Sequence, residues 1–139
     1  MAVNLASPFY EEGDEVTCYC SAAVTGKQFV KISGARQAGG PTGGVTDATT
    51  GGNVTVAPAA AGDKVFGVAA YNAALGALVQ VWRYNHIVPV TTGAVALTAG
   101  MEVQSDANGN AIVLAAGKAA GLCIDNAAIG ADAQIALYP

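Results

Sequence analysis

Short runs in which apolar and polar residues alternate recur along most of this chain. Such alternation is typical of β-strands with one buried face. The clearest run is 79–84, and further apolar runs lie at residues 16–20, 29–32, 54–56, 87–90, 95–97, 101–104, 112–114, 122–124 and 135–137. Glycine-containing turns separate them, and Asn108-Gly109 is the strongest hairpin signal. The pattern predicts a mainly β fold, either a small β-barrel or a β-sandwich.

Two alanine-rich stretches leave a local alternative open. Residues 57–61 and 115–120 consist largely of Ala, which favours helix. Pro58 and Gly117 interrupt these stretches, and both residues disfavour a helix interior. The alternative is therefore at most two short helices in an otherwise β protein.

Part of the chain is repeated. Residues 67–84 align with residues 121–138 at an offset of 54, and 8 of the 18 positions are identical. The matches include Asn72 with Asn126 and Gly76 with Gly130, residue types that are typical of turns. The repeat predicts a strand, a turn and a strand used twice. This duplicated hairpin unit suggests a barrel or sandwich with pseudo-two-fold symmetry.

Two segments depart from the strand pattern. Residues 1–15 have no clear periodicity and combine apolar residues with an acidic run, so we expect an extended N-terminal arm. Residues 34–53 hold seven glycines and Pro41, a composition that predicts a long Gly-rich loop. Between and beyond these segments, we expect residues 16–139 to form a single β domain.

Composition narrows the range of functions. Hydrophobic residues make up 53% of the chain, but 30 of its residues are Ala, so the core is expected to be thin or completed by a partner. Six Lys and Arg and a net charge of −4 argue against nucleic-acid binding. The charge-free stretches 65–82 and 84–101 contain polar residues and alternate like strands, so no membrane span is expected. The absence of Lys or Arg before Lys27 argues against a signal peptide.

Residues that could carry catalysis or bind metal are few. Cys18, Cys20 and Cys123 with His86 lack the spacing of structural zinc sites, so buried reduced thiols are expected. His86 is the only histidine, and no nucleophile elbow surrounds a serine. The segment 106–110 lacks the downstream Glu of a calcium loop. We expect no catalytic residues, no metal and no cofactor.

Three ring side chains form a further candidate site. Trp82, Tyr84 and His86 alternate, and on a single strand they would share one face. Large aromatics in an Ala-rich domain are candidate anchors of a subunit interface. They could equally be the main fillers of the core.

Several motifs spread over nearly the whole chain resemble one family. They are Glu12-Gly13-Asp14-Glu15-Val16, the step at 24–30, the Gly67-Val-Ala repeat with Asn-Ala-Ala-Leu-Gly-Ala, and the turns at 97–100 and 105–109. In these the chain resembles the Ala- and Gly-rich head decoration, or capsid cement, proteins of tailed bacteriophages. The loop at 34–53 and the Cys18-Tyr-Cys20 strand depart from that pattern.

The resemblance implies a mainly β, β-tulip-like domain on the outer surface of an expanded capsid. It implies a homotrimer that staples neighbouring subunits of the major capsid protein, made in the bacterial cytoplasm and carried on the virion. An N-terminal arm would lie on the shell, and the residues expected to bind there are Leu5, Pro8, Phe9, Tyr10, Glu11 and Glu12.

Two other functions remain open. The chain could be a head-fibre or adhesive host-binding module whose 34–53 loop makes the contacts. A small hydrolase using His86 is the second alternative, and we expect no such activity.

Overall fold

The computed structural model describes residues 15–37 and 52–139. These residues form ten strands: β1 (Val16–Cys20), β2 (Phe29–Gln37), β3 (Asn53–Pro58), β4 (Gly67–Ala69), β5 (Leu78–Trp82), β6 (Ile87–Thr91), β7 (Glu102–Ser105), β8 (Ala111–Val113), β9 (Gly121–Cys123) and β10 (Asp132–Leu137). The mainly β prediction is confirmed. Neither alanine-rich stretch is helical. No helix that could cross a bilayer occurs in the described residues.

The first five strands close into a small barrel in the order β1-β3-β2-β4-β5. Alternation explains the barrel's interior, because Val16, Cys18 and Cys20 of β1 are buried while Thr17 between them is exposed. β1 pairs in parallel with β3 and antiparallel with β5. A strand hydrogen-bonded on both sides leaves no free edge for another chain to join.

The last five strands form a sheet in the order β6-β10-β9-β7-β8. An isolated parallel bridge between Thr92 and Ala111 joins its two ends. The corresponding parallel contact in the first barrel is Cys20 with Val56. The parallel β1–β3 pairing of the first barrel is therefore represented in the second sheet by a single parallel bridge.

The repeat seen in the sequence is confirmed residue by residue in the ladders. The β4–β5 hairpin recurs 54 residues later as β9–β10: Val68–Trp82 becomes Leu122–Ala136, and Ala69–Val81 becomes Cys123–Ile135. The turns match as well, since Gly76 and Gly130 both have positive φ. Strand-turn-strand is thus built twice with the same register.

The duplication covers all five strands, well beyond the segment that the sequence alignment detects. The counterparts of the remaining ladders are Phe29–Val68 with Glu102–Leu122, Val16–Val81 with Val88–Ile135, and Ile32–Val56 with Ser105–Ala111. The molecule is a tandem of two equivalent five-stranded units. We refer to β1–β5 as the first unit and β6–β10 as the second.

The two units differ most in one hairpin. Residues 33–55 lie between the paired Ile32 and Val56 in the first unit, whereas residues 106–110 lie between Ser105 and Ala111 in the second. The additional chain contains the predicted Gly-rich loop. That loop begins later than expected, because β2 continues to Gln37 and pairs there with Asn53. Residues 38–51 lie outside the described part.

The hydrophobic core crosses from one unit to the other. One buried cluster fills the first barrel and includes Val30, Val56 and Val79. A second cluster joins Phe29 and Val68 of the first unit to Val90 and other residues of the second. Because β2 and β4 present one face to each cluster, the two units share buried surface.

Candidate functional site

The segment that joins the two units holds the predicted ring side chains. β5 ends at Trp82, residues 84–85 form a turn, and Asn85 has a φ of 69°. The expectation that Trp82, Tyr84 and His86 share one face of one strand is therefore wrong. A positive φ is incompatible with extended backbone, so the strand does not continue past Trp82.

The turn nevertheless brings two of these side chains together. The ring centroids of Trp82 and His86 are 5.0 Å apart and the planes are tilted by 57°. His86 Nδ1 donates a hydrogen bond to the carbonyl oxygen of Arg83 at 3.1 Å. Trp82 is half-buried against the core shared by the two units. The packing alternative therefore holds for Trp82, while its role in a subunit interface is untested.

Arg83 between these rings occupies an unusual environment. Its guanidinium carbon lies 4.1 Å from the centre of the Phe66 ring and 5.4 Å from that of Tyr84. Its Nε is buried and has no hydrogen-bond partner among the described residues. A buried N–H without a partner is unfavourable. Arg83 is therefore held by its aromatic neighbours and retains an unused donor.

A cleft of about 420 Å³ opens beside Arg83. Its lining includes Lys31, Ile32, Asp63, Lys64, Phe66 and Arg83. Lys31 Nζ donates to Asp63 Oδ2 at 2.7 Å, and the backbone N–H of Ala60 donates to the same oxygen at 2.8 Å. These two hydrogen bonds lower the pKa of Asp63.

This cleft is not evident from the sequence because its residues come from four separated segments, 31–32, 63–66, 83 and 139. The feature of the sequence that relates to this cleft is the small number of basic residues. Three of the six Lys and Arg of this acidic chain line the cleft. The composition revealed only that cations are few. Their convergence depends on the fold, because Lys31 lies in β2, Lys64 in the β3–β4 connection and Arg83 directly after β5.

Two equivalent turns expose large apolar side chains. Leu75 is 67% exposed and Ile129 is 63% exposed. Each precedes a positive-φ glycine in its own copy of the repeated hairpin. Asn72 Oδ1 accepts the N–H of Gly26, and Asn126 Oδ1 accepts that of Ala99, both at 2.9 Å. The same local structure thus presents one apolar side chain from each unit, and we call these turns the apolar tips.

The three cysteines lie in the two buried clusters. Cys18, Cys20 and Cys123 are free and buried, as expected. Burial raises the pKa of Cys18 to about 12, and the neighbouring Cys20 adds to the increase. Burial also raises the pKa of Cys20. Because the thiolate is the reactive form, burial disfavours reaction at both groups.

The turn at 106–110 uses its carboxylate for structure. Asp106 Oδ1 accepts the N–H groups of Asn108 at 2.7 Å and Asn110 at 2.9 Å, and Oδ2 accepts from the Asn110 side chain. Within residues 15–37 and 52–139, no group of three or more His, Cys, Asp or Glu is placed to hold a metal. The arm residues Leu5, Pro8, Phe9, Tyr10, Glu11 and Glu12 lie outside the described residues.

Comparison with known proteins identifies a fold. No protein-family model matches this chain, and no curated protein sequence matches it significantly. Among solved structures, the N base of head fibre protein gp8.5 of bacteriophage phi29 is similar to it, with a TM-score of 0.66. The match covers 90% of this chain and 93% of the other, at 16% sequence identity. The tandem of β units is therefore a fold that a phage head protein also has.

Proposed function

We propose that this chain is a structural protein of a bacteriophage head that binds the outer surface of the capsid as a decoration protein. The observation that carries the proposal is the likeness to a head fibre base over nearly the full length of both chains. The motifs that resemble capsid cement proteins support the same class independently. In this role the protein binds the major capsid protein and performs no chemistry.

The apolar tips suit a partner that is itself repeated. Leu75 and Ile129 are exposed in equivalent settings, one in each unit. Complete burial of such a side chain stabilises an interface by about 1.5–3 kcal/mol relative to full exposure. Two such contacts on each copy, repeated over a lattice, provide the many weak attachments that hold subunits together. We propose that the tips contact the shell alongside the N-terminal arm.

We further propose that the chain decorates the shell as a homotrimer that staples neighbouring capsid subunits. The exposed parts of Tyr84 and His86 are the proposed subunit contacts, since both are only half-buried in one chain. Sedimentation equilibrium of the purified protein tests the trimer. A single monomer mass, both free and when released from capsids, would contradict it.

Capsid binding is the decisive test. Purified protein mixed with bare expanded capsids is expected to give saturable and symmetric decoration, measured by co-sedimentation and particle imaging. Deletion of residues 1–13, or the double substitution Leu75→Ser and Ile129→Ser, is expected to weaken binding at least tenfold while the thermal transition persists. Val95→Ser is the matched control, because Val95 is also about half exposed but lies outside the tips.

The outcomes separate this proposal from its closest alternative. Absence of co-sedimentation would contradict capsid binding. Attachment of a few copies at isolated positions, together with loss of adsorption to host cells after loop deletion, would instead favour a head-fibre module. That alternative is supported by the same comparison, since the similar structure is itself a head fibre base.

A further inference from the structure

We propose that the cleft beside Arg83 is a binding site for a carboxylate-bearing peptide segment of a partner protein. The inference deepens the proposed function and depends on it for the partner, which would be the capsid protein. The site itself is argued from its charges and from its apolar wall.

The side chains of the cleft concentrate positive charge in an acidic protein. Lys31, Lys64 and Arg83 line it, and Asp63 is the acidic side chain among its lining residues. Asp63 is already engaged by Lys31 and by the N–H of Ala60. The lining side chains therefore carry a net charge of +2 in a chain whose net charge is −4, and a free carboxylate on Pro139, which also lines the cleft, would reduce the local charge to +1. This imbalance favours an anionic group in the cleft.

Arg83 is the residue of the cleft that could orient a bound carboxylate. Its guanidinium carbon lies 4.1 Å from the centre of the Phe66 ring, a cation–π contact that limits the positions of the side chain. The buried Nε lacks a partner among the described residues. A carboxylate matches the planar donors of a guanidinium through two parallel hydrogen bonds. A carboxylate in the cleft would reach the Nε itself only if the Arg83 side chain shifts, because that atom is buried.

The rest of the wall selects a peptide over a small inorganic anion. Ile32 is 49% exposed, and Val65 and Phe66 extend the apolar surface beside the cations. A cleft of about 420 Å³ lies within the size range of specific ligand sites. An acidic side chain next to an aromatic or aliphatic one would fill both parts. A nucleic acid fits poorly, because it would bring a row of phosphates against an acidic protein.

The probe for this site is the capped peptide acetyl-Phe-Glu-Asp-Phe-amide, titrated into the full isotope-labelled chain. We expect saturable amide shifts at residues 31–32, 63–66 and 83, and an affinity that falls with added salt. The amide analogue acetyl-Phe-Gln-Asn-Phe-amide is expected to bind at least tenfold more weakly. Equal binding of both peptides, or tighter binding of a single-stranded oligonucleotide, would overturn the proposal.

Charge variants locate the site. Lys64→Glu is expected to weaken the Glu-Asp peptide about tenfold, and its exposed position protects the fold. Lys118→Glu is the matched control, because Lys118 is another exposed lysine outside the cleft lining, and it should change the affinity less than about twofold. Arg83→Lys keeps the charge but removes the planar donors, so we expect weaker binding there too. Equal effects of Lys64→Glu and Lys118→Glu would refute the assignment.

Two further comparisons assign the occupant. If the peptide binds only after residues 1–13 are deleted, the deleted part of the chain, which carries Glu11 and Glu12, competes for the cleft, and a partner segment is excluded. In the capsid assay, unchanged binding of Lys64→Glu would remove the cleft inference while leaving the proposed function intact. Peptide binding without any capsid binding would do the reverse.

Discussion

Gly67 and Gly121 occupy the same place in the two units, and the same close approach requires glycine at both. A Cβ at Gly67 would collide with the carbonyl oxygen of Trp82, and one at Gly121 with that of Ala136. Both obstacles are backbone atoms of the neighbouring strand, which cannot rotate away. The abundance of glycine, ambiguous in the sequence, thus has a definite steric cause at these two positions.

Alanine at either position is expected to destabilise the fold. Gly67→Ala and Gly121→Ala must push apart the strands of their hairpins, and we expect each to lower the free energy of unfolding by about 2–4 kcal/mol. Gly34→Ala is the matched control, because a Cβ there meets only the Thr55 methyl group at 3.9 Å. Urea unfolding measures all three. A loss at Gly34 as large as at Gly67 would contradict the steric explanation.

Among the elements, the hairpin β2–β3 shows that a unit tolerates a long connection between two paired strands. Its ladder continues past the point where the second unit turns, up to Gln37 and Asn53. Gly52 before Asn53 already has a φ of 55°, which suits the second position of a two-residue hairpin turn. The ladder itself therefore does not depend on a long connection.

Replacing residues 38–51 with a single Asn would place that Asn directly between Gln37 and Gly52, as the first residue of an Asn-Gly turn. We expect the barrel to fold with an unfolding free energy within about 1 kcal/mol of the parent, because the paired residues are retained and a shorter loop costs less entropy to close. Circular dichroism and urea unfolding measure this. A control that adds Gly52→Ala to the same shortened chain should be less stable, since it removes the glycine from a positive-φ position.

The sequence predicted the elements better than their arrangement. Alternation located most strands. The offset of 54 predicted the hairpins β4–β5 and β9–β10, because neither hairpin contains an insertion relative to the other. The duplication of β1 and β2 escaped detection, since the long connection after Ile32 shifts their offset to 72 or 73 residues, whereas β3 after that connection is offset by 55. The turn at residues 84–85 was not predicted, because residues 79–84 alternate like a strand. A positive φ at a residue other than Gly is a tertiary outcome that alternation does not encode.

At the scale of the whole molecule, the shared core ties the two units together. Phe29 belongs to the first barrel by sequence and pairing but is fully buried in the cluster that fills the second. Its backbone also contacts the second unit, because the N–H of Phe29 donates a hydrogen bond to the carbonyl oxygen of Gly109 at 2.7 Å. We therefore expect one cooperative unfolding transition for both units.

Phe29→Ala tests that coupling. Removing a fully buried aromatic is expected to cost about 3–5 kcal/mol and to lower the protection of amides in β6–β10 as much as in β1–β5. Hydrogen exchange followed by mass spectrometry reports both units in one experiment. Ile87→Ala is the control, because Ile87 is 60% exposed and should change stability by less than about 1 kcal/mol. Loss of protection confined to β1–β5 would show that the units unfold independently.

The short turn at 106–110 gives the tandem a direction. Gly109 and Asn110 of that turn bond to Phe29 and to the side chain of Gln28, so the second unit's hairpin is used as the joint to the first. The equivalent hairpin of the first unit has no unit before it among the described residues and carries the long connection instead. A third unit could therefore be added in front of the first only if that connection were shortened to a matching joint. In this tandem the hairpin of the second unit already contacts the first unit, whereas the equivalent hairpin of the first unit carries the long connection. An engineered array of such units would therefore be extended at the hairpin of the first unit.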